Sequence, residues 1–274
     1  MASIHPTAIV DRGSEIAADV DIGPYCVIGA HVVIHEGCRL ASHVNLTGHT
    51  TVGARTTIAP FASLGTPPQS VKYRGGPTRL VIGEECDIRE GVTMNIGTED
   101  DRGVTEIGRR CMFMAGSHVG HDCQVGDDVI MANNAVLGGH VVIGRHSFLG
   151  GHAAVHQYVR LGEGVMISGV SGAASDVIPF GFARGSYAYL EGLNVVGLRR
   201  RGCGRADLLR LRRAYRSLFF GEGQFRDRLA NVADEFAGDP LIAMVVDFIR
   251  SGGTRPLMMP SRGAPAQANA DLAP

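Results

Sequence analysis

The chain has no tryptophan among its 274 residues, and only ten phenylalanines and six tyrosines. A core assembled from large rings is therefore not expected; small and β-branched side chains must fill it. Charge of either sign is scarce and balanced, with 26 Lys and Arg against 27 Asp and Glu. No whole-chain field is available to recruit nucleic acid or a membrane surface, so a partner must be chosen by a local patch. The six cysteines (Cys26, Cys38, Cys86, Cys111, Cys123, Cys203) form no CxxC pair. They read as reduced filler, with neither a disulfide framework nor a metal site expected. No apolar run approaches the roughly 20 residues that span a bilayer. A six-residue apolar repeat begins at Ile4, which argues against a signal peptide, so a cytoplasmic location is expected.

What is present is a period. Stepping by six from Ile4, the chain reads Ile4, Val10, Ile16, Ile22, Ile28, Ile34, Leu40, Leu46, Val52, Ile58 and Leu64, and a second run extends from Ile107 to Ile167. Six matches neither the 3.6 of a helix nor the 2.0 of a strand. The position four residues further on is small or β-branched (Ala8, Ser14, Val20, Cys26, Val32). Each hexad thus reads as a short strand and a turn, and the fold class is an all-β parallel β-helix, a triangular prism with three hexads per coil. Residues eighteen apart then stack, about 4.8 Å from one another.

Two stretches interrupt the period. Residues 65–81 lose the strand pattern and hold Pro67, Pro68, Gly75, Gly76 and Pro77, so they are expected to loop out of the prism and, given Lys72, to serve a function. A slip near 98–106, where Met94 and Ile107 are thirteen apart instead of twelve, reads as a surface bulge. The prism is expected over 1–186. A small helical domain should follow over 187–253, where apolar residues take helical spacing and Asp239-Pro240 forms a plausible helix start. Residues 254–274, rich in Pro, Ala and Gly, are expected to be a disordered tail.

Histidine supplies the chemistry. Six of the eleven (His118, His121, His140, His146, His152, His156) lie between 118 and 156. Adding eighteen to His121 gives Gly139, and again gives Gln157; adding eighteen to Asp122 gives His140. One line on the prism would then present an imidazole, a bare peptide step and an amide, with a carboxylate beside the imidazole. That set suits acyl transfer: a base, an acid that orients it and a backbone N–H for a developing oxyanion. A histidine with its ordinary pKa of about 6.5 is available as a neutral base near neutrality. Two other readings remain: solvated surface histidines, or a metal held by His118, His121 and His140 as in zinc carbonic anhydrases of this prism shape.

The segments His118-Val119-Gly120-His121-Asp122-Cys123, Met131-Ala132-Asn133-Asn134, Leu137-Gly138-Gly139-His140, Ala154-Val155-His156-Gln157 and Arg200-Arg201-Gly202 together resemble the UDP-N-acetylglucosamine 3-O-acyltransferases, the first acylating enzymes of lipid A synthesis. The likeness runs from residue 4 to about 250. It implies a left-handed winding, contrary to the usual right-handed crossover rule, and a homotrimer with sites at subunit contacts. It also implies an acyl carrier protein as donor, a UDP-amino sugar as acceptor and no cofactor or metal. His121 would be the base, Asp122 its orienting acid and Gly139 the oxyanion donor. His118, His140, His156 and Gln157 would contact sugar or diphosphate, Lys72 the sugar, and Asn194, Arg200 and Arg201 the nucleotide. Gly169 would limit the acyl groove, and a glycine there leaves room for a longer chain.

Three positions depart from the family pattern: Ser70 replaces an aspartate, Asn95 a histidine and Tyr187 a histidine. All lie in the expected acceptor region, which opens a 3-N-acyl transfer to a 3-amino sugar as an alternative to O-acylation. A scaffold without catalysis is the remaining alternative. The arginines Arg199, Arg200, Arg201, Arg205, Arg210, Arg212, Arg213 and Arg216 make the start of the helical domain basic, which suits docking of an acidic carrier protein.

Overall fold

The computed structural model describes residues 2–261. Strands of mostly two residues pair in parallel with the strands one coil before and after, forming three sheets of eleven, nine and eight strands. Face 1 begins with Ser3–Ile4 and Asp21–Ile22, face 2 with Ile9–Val10 and Val27–Ile28, and face 3 with Glu15–Ile16 and Val33–Ile34. The register follows the hexad: Ile22 pairs with Leu40, Ile28 with Leu46 and Ile34 with Val52, each eighteen residues on.

The second residue of each strand points inward. Ile22, Ile28, Ile34, Leu46, Val52, Ile58 and Leu64 are buried, and between them the small positions Val20, Cys26, Val32, Cys38 and Val44 fill the corners. Burying each such aliphatic chain contributes about 1.5–3 kcal/mol, against the entropy of fixing the coil. Five cysteines are buried free thiols and Cys203 is half-buried. The expectation that rings are excluded fails at two points: Phe113 sits in the inward row, Phe180 near the end of the prism, and both are fully buried.

Most corners from Tyr25 onward turn through a residue in the left-handed region, and many of these are not glycine. Asp122, His140 and Tyr158 (φ 58°, 62° and 66°) form one column, and Arg110, Asp128 and His146 (54°, 58° and 60°) another. Asn, Asp and His tolerate this conformation better than most residues.

The two interruptions occur at the same corner, between faces 2 and 3. The first is a loop over 67–78, tighter than the predicted 65–81, between strands Ser63–Thr66 and Arg79–Ile82. Val52 pairs with Ile82, so this coil is twelve residues longer than the standard eighteen. The second is no one-residue slip. Ile82 pairs with Ile107, which makes that coil seven residues longer, and the extra chain lies over 96–103. The sequence count took twelve as the reference from Met94 when the next inward position is six away.

Face 1 gains one more strand past residue 186, although the parallel winding itself ends with Gly181–Arg184. An antiparallel pair, Gly181–Arg184 with Tyr189–Leu193, closes face 1. Helices α1 (Val195–Arg200), α2 (Arg205–Phe220), α3 (Phe225–Glu235) and α4 (Pro240–Arg250) follow. Asp239 caps α4 by accepting from the N–H of Leu241 and Ile242. The start of the expected disordered tail is instead pinned to the prism. Asp176 N–H donates to the carbonyl of Pro256, Met258 N–H to that of Asp176, and Met258 is buried. Beneath this clasp, Arg160 bonds Asp176 at 2.7 Å and lies over the Phe248 ring. The Leu190 N–H donates to the Met259 carbonyl as well, and composition carries no signal for a segment held by three backbone bonds, one buried methionine and the Arg255 side chain. Residues 262–274 of that expectation lie outside the described residues.

Candidate active site

The face 2 to face 3 corner brings His121, Gly139 and Gln157 into one column, as the register His118↔Val136↔Ala154 requires. The His121 ring lies over Gly139: a Cβ added there would meet His121 Cε1 at 2.5 Å and Nε2 at 2.6 Å. Only glycine fits beneath the imidazole. Among the described residues the Gly139 N–H donates to no backbone or side-chain acceptor, while its neighbours Gly138 and His140 donate to Val155 and His121 carbonyls.

Asp122 is almost fully buried, at 1% exposure. A buried carboxylate without partners would be costly, and this one has several. The Thr98 N–H donates to both oxygens at 3.0 and 3.1 Å, and the Thr98 hydroxyl donates at 2.6 Å. The Asp122 N–H donates to Thr105 Oγ1. His121 Nδ1 lies 2.8 Å from Oδ2. Burial pushes the Asp122 carboxyl upward, but the bonds from His121 and Thr98 outweigh it and hold the pKa below the usual carboxylate range. An ionised carboxylate can only accept, so Nδ1 carries the proton and Nε2 keeps its lone pair, the state a general base needs.

His140 stacks on Tyr158 (4.3 Å between centroids) and meets His121 edge-on at 4.8 Å. Its Nδ1 lies 2.5 Å from Asp101 and 3.9 Å from Asp122. His118, on the outer side of face 2, bonds Thr93 Oγ1, and burial together with nearby His121 pushes its pKa down. His121, Asp122 and His140 hold ligand atoms within 4.8 Å of one another, close enough to grip a cation, but the Asp122 oxygens are already taken by His121 and Thr98.

Other expected site residues lie elsewhere. Lys72 is exposed on the 67–78 loop at the same corner, its N–H donating to Ser70 Oγ. Asn95 is buried and its amide donates to Thr66 Oγ1 and the Pro67 carbonyl, so it latches the root of that loop. Asn194 is occupied as the cap of α1, accepting from Gly197 N–H and donating to the Gly164 carbonyl. Arg201 pairs with Glu163 at 3.3 Å and lies over Phe180 at the face 3 to face 1 corner; burial lowers its pKa from the usual arginine value. Arg200 is exposed on α1. Gly169 is exposed at the face 1 to face 2 corner, where an added Cβ would lie 3.2 Å from the Gly151 carbonyl. The basic stripe is partly neutralised, since Arg210 pairs with Asp207 and Asp239, and Arg213 with Glu235.

Most of the residues absent from the sequence reading belong to the 96–103 strap; Thr105, Tyr158 and Arg255 lie outside it. Thr98 bonds Asp122 and Asp101 bonds His140, and Glu99 accepts from Gly76 N–H at 2.5 Å and Arg74 N–H at 3.3 Å, joining this strap to the Lys72 loop. The seven-residue excess between inward positions was the available signal.

The family model described as bacterial transferase hexapeptide (six repeats) matches residues 1–36 and 105–139. That places the chain in the class of hexapeptide-repeat transferases, with a left-handed prism and a small helical C-terminal domain. A second model, described as Udp N-acetylglucosamine O-acyltransferase, Domain 2, matches residues 176–258. The chain is 56% identical over 97% of its length to the acyl-(acyl-carrier-protein)–UDP-N-acetylglucosamine O-acyltransferase of Azorhizobium caulinodans, covering 98% of that protein. It is 47% identical to the enzyme of the same name from Rhizobium johnstonii, with 96% of each chain covered. The solved UDP-N-acetylglucosamine O-acyltransferase of Moraxella catarrhalis superposes with a TM-score of 0.89 at 39% identity, over 93% of this chain and 99% of that one. The chain belongs to the acyl-(acyl-carrier-protein)–UDP-N-acetylglucosamine O-acyltransferase family.

Proposed function

We propose that this protein transfers a 3-hydroxyacyl chain from the thioester of an acyl carrier protein to the 3-hydroxyl of UDP-N-acetylglucosamine, the first step of lipid A biosynthesis. The observation that carries the reading is His121, locked by a buried ionised Asp122, lying over the side-chain-free step at Gly139. His121 Nε2 takes the proton of the sugar hydroxyl as its oxygen attacks the thioester carbonyl. The Gly139 N–H receives the oxyanion of the tetrahedral intermediate. The C–S bond then breaks, and the leaving thiolate takes the proton back from His121. The names of the relatives specify O-transfer, which favours the hydroxyl acceptor over an amine despite Ser70, Asn95 and Tyr187.

His121, Arg201 and Gly169 lie at three different corners of one prism. A groove using all three needs corners from more than one copy, which supports a homotrimer with sites between subunits. The arginines of the basic stripe that lie outside ion pairs (Arg199, Arg200, Arg205, Arg212 and Arg216) support docking of an acidic carrier protein by electrostatic steering. No described helix is long and apolar enough to cross a membrane, in keeping with a cytoplasmic reaction. With Gly169 leaving space, a long acyl donor is favoured.

The test offers matched acyl carrier thioesters with UDP-N-acetylglucosamine and with its 3-amino analogue, reading acylated sugar by mass. The ester from the first acceptor supports the proposal; failure of that acceptor sinks it. A Gly169→Met variant should shift preference to shorter donors, and an unchanged preference would reject the spacing argument.

A further inference from the structure

Two histidines of the groove wall are each gripped at Nδ1 by a residue from a separate segment, and the two grips have opposite chemistry. On His140, Nδ1 lies 2.5 Å from Oδ2 of Asp101, in the 96–103 strap. On His156, Nδ1 lies 2.6 Å from Nη2 of Arg255, in the segment that follows α4. The Arg255 Nε also donates to the Gln157 carbonyl at 2.9 Å, so the guanidinium is fixed by two bonds.

A carboxylate accepts and a guanidinium only donates. Asp101 therefore requires the proton of His140 on Nδ1 and leaves Nε2 as an acceptor. Arg255 requires a bare Nδ1 on His156, which places the proton on Nε2 and makes that edge a donor. His156 Nδ1 also lies 3.3 Å from the Gln157 carbonyl, but that contact is longer and needs the proton the arginine excludes. The partner of one ring nitrogen decides what the other offers a ligand. Neither Nε2 has a hydrogen-bond partner among the described residues.

We propose that Asp101 and Arg255 are positioning residues that give the acceptor groove a fixed polarity: His140 Nε2 receives a hydrogen bond from a sugar hydroxyl or amide N–H, and His156 Nε2 donates to a sugar or phosphate oxygen. This rests on the acyltransferase reading of the groove and deepens it. Asp101 and Arg255 touch no substrate themselves. Both are exposed enough for substitution to leave the prism intact, Asp101 at 40% side-chain exposure.

The test uses the full-length protein with 15N-labelled histidine, its ring shifts read by NMR, with His140→Gln and His156→Gln assigning the signals. Wild type should show the Nδ1–H form at His140 and the Nε2–H form at His156. Asp101→Ala should erase the Nδ1–H form at His140 and raise the KM for the UDP sugar roughly tenfold with kcat little changed, as losing one charge-assisted hydrogen bond to a binding group does. Asp101→Ala should add nothing in the His140→Gln background. Arg255→Ala should raise the same KM, with Arg255→Lys keeping part of the effect. An Nε2–H form at His140 in wild type overturns the proposal, and so does an Asp101→Ala variant that loses the Nδ1–H form with KM unchanged. Should wild type transfer nothing to either acceptor while both ring forms appear as stated, the substrate reading fails and the polarity stands.

Discussion

Two corners of the prism share one backbone and differ in chemistry. At the face 3 to face 1 corner, the left-handed column Arg110, Asp128, His146 carries a histidine 3.5 Å from an aspartate, as the face 2 to face 3 corner does with His121 and Asp122. The first pair is open to water: His146 is 35% exposed, Asp128 is 27% exposed, and the carboxylate is shared with Arg110. In the second, Asp122 has no exposed side-chain surface and His121 is 17% exposed, because the two inserted loops leave from that corner. Stacking alone makes a ladder of solvated ion pairs. Chemistry requires the carboxylate to be dried and then supplied with donors, and the strap does both.

The largest contrast between the corners should come from removing each histidine. His121→Ala is expected to lower turnover by roughly two to four powers of ten with circular dichroism unchanged, as general-base loss does. His146→Ala should stay within about twofold, as exposed pairs contribute little. Comparable losses would mean that corner geometry and not burial selects the site.

Next is the peptide step. Gly139→Ala puts a Cβ 2.5 Å from the His121 ring, so the imidazole must move, and a loss of about a hundredfold in kcat is expected from misplacement on this scale. Crystallography of the variant should find the ring displaced; an unmoved ring with the same loss would assign the effect to the oxyanion N–H instead.

Thr98→Val sharpens the role of the strap. It removes the 2.6 Å hydroxyl donor to Asp122 but keeps the backbone bonds. Roughly tenfold lower kcat and about 1.5–3 kcal/mol of lost stability are expected, the range for a hydrogen bond to a buried charge. Denaturant melts and steady-state rates check both. The smallest effect belongs to the opposite corner: Arg110→Ala should leave rate and melting temperature unchanged within error, its exposed pair with Asp128 being screened by water.

How much of this was readable beforehand follows from what repeats. The hexad fixes register, so the columns His121–Gly139–Gln157 and Asp122–His140 follow from addition. The loop at 67–78 announces itself by three prolines and two glycines. The strap at 96–103 lacks such marks and hides in a spacing, so Thr98, Glu99 and Asp101 were not seen. Asn95 and Asn194 show the converse. Each reads as a polar residue near a site, but a loop root and a helix cap consume their amides, and no local pattern predicts which contact an amide will make. Arg255 was lost with a tail whose composition suggests disorder but whose backbone pairs with Asp176.

Catalysis by His121 depends on the charge state of one carboxyl. Asp122 is held below the usual carboxylate range when folded, so by linkage its stabilising contribution is complete above its unfolded value of about 3.9 and is lost as pH falls through the lower folded value. A pH titration of the Asp122 side-chain carbon by 13C NMR measures this directly. A midpoint below that of a free aspartate, with Asp122→Asn showing less acid sensitivity than wild type, is the predicted result. A carboxyl that titrates at or above the free value would leave His121 without its anionic partner and contradict the mechanism.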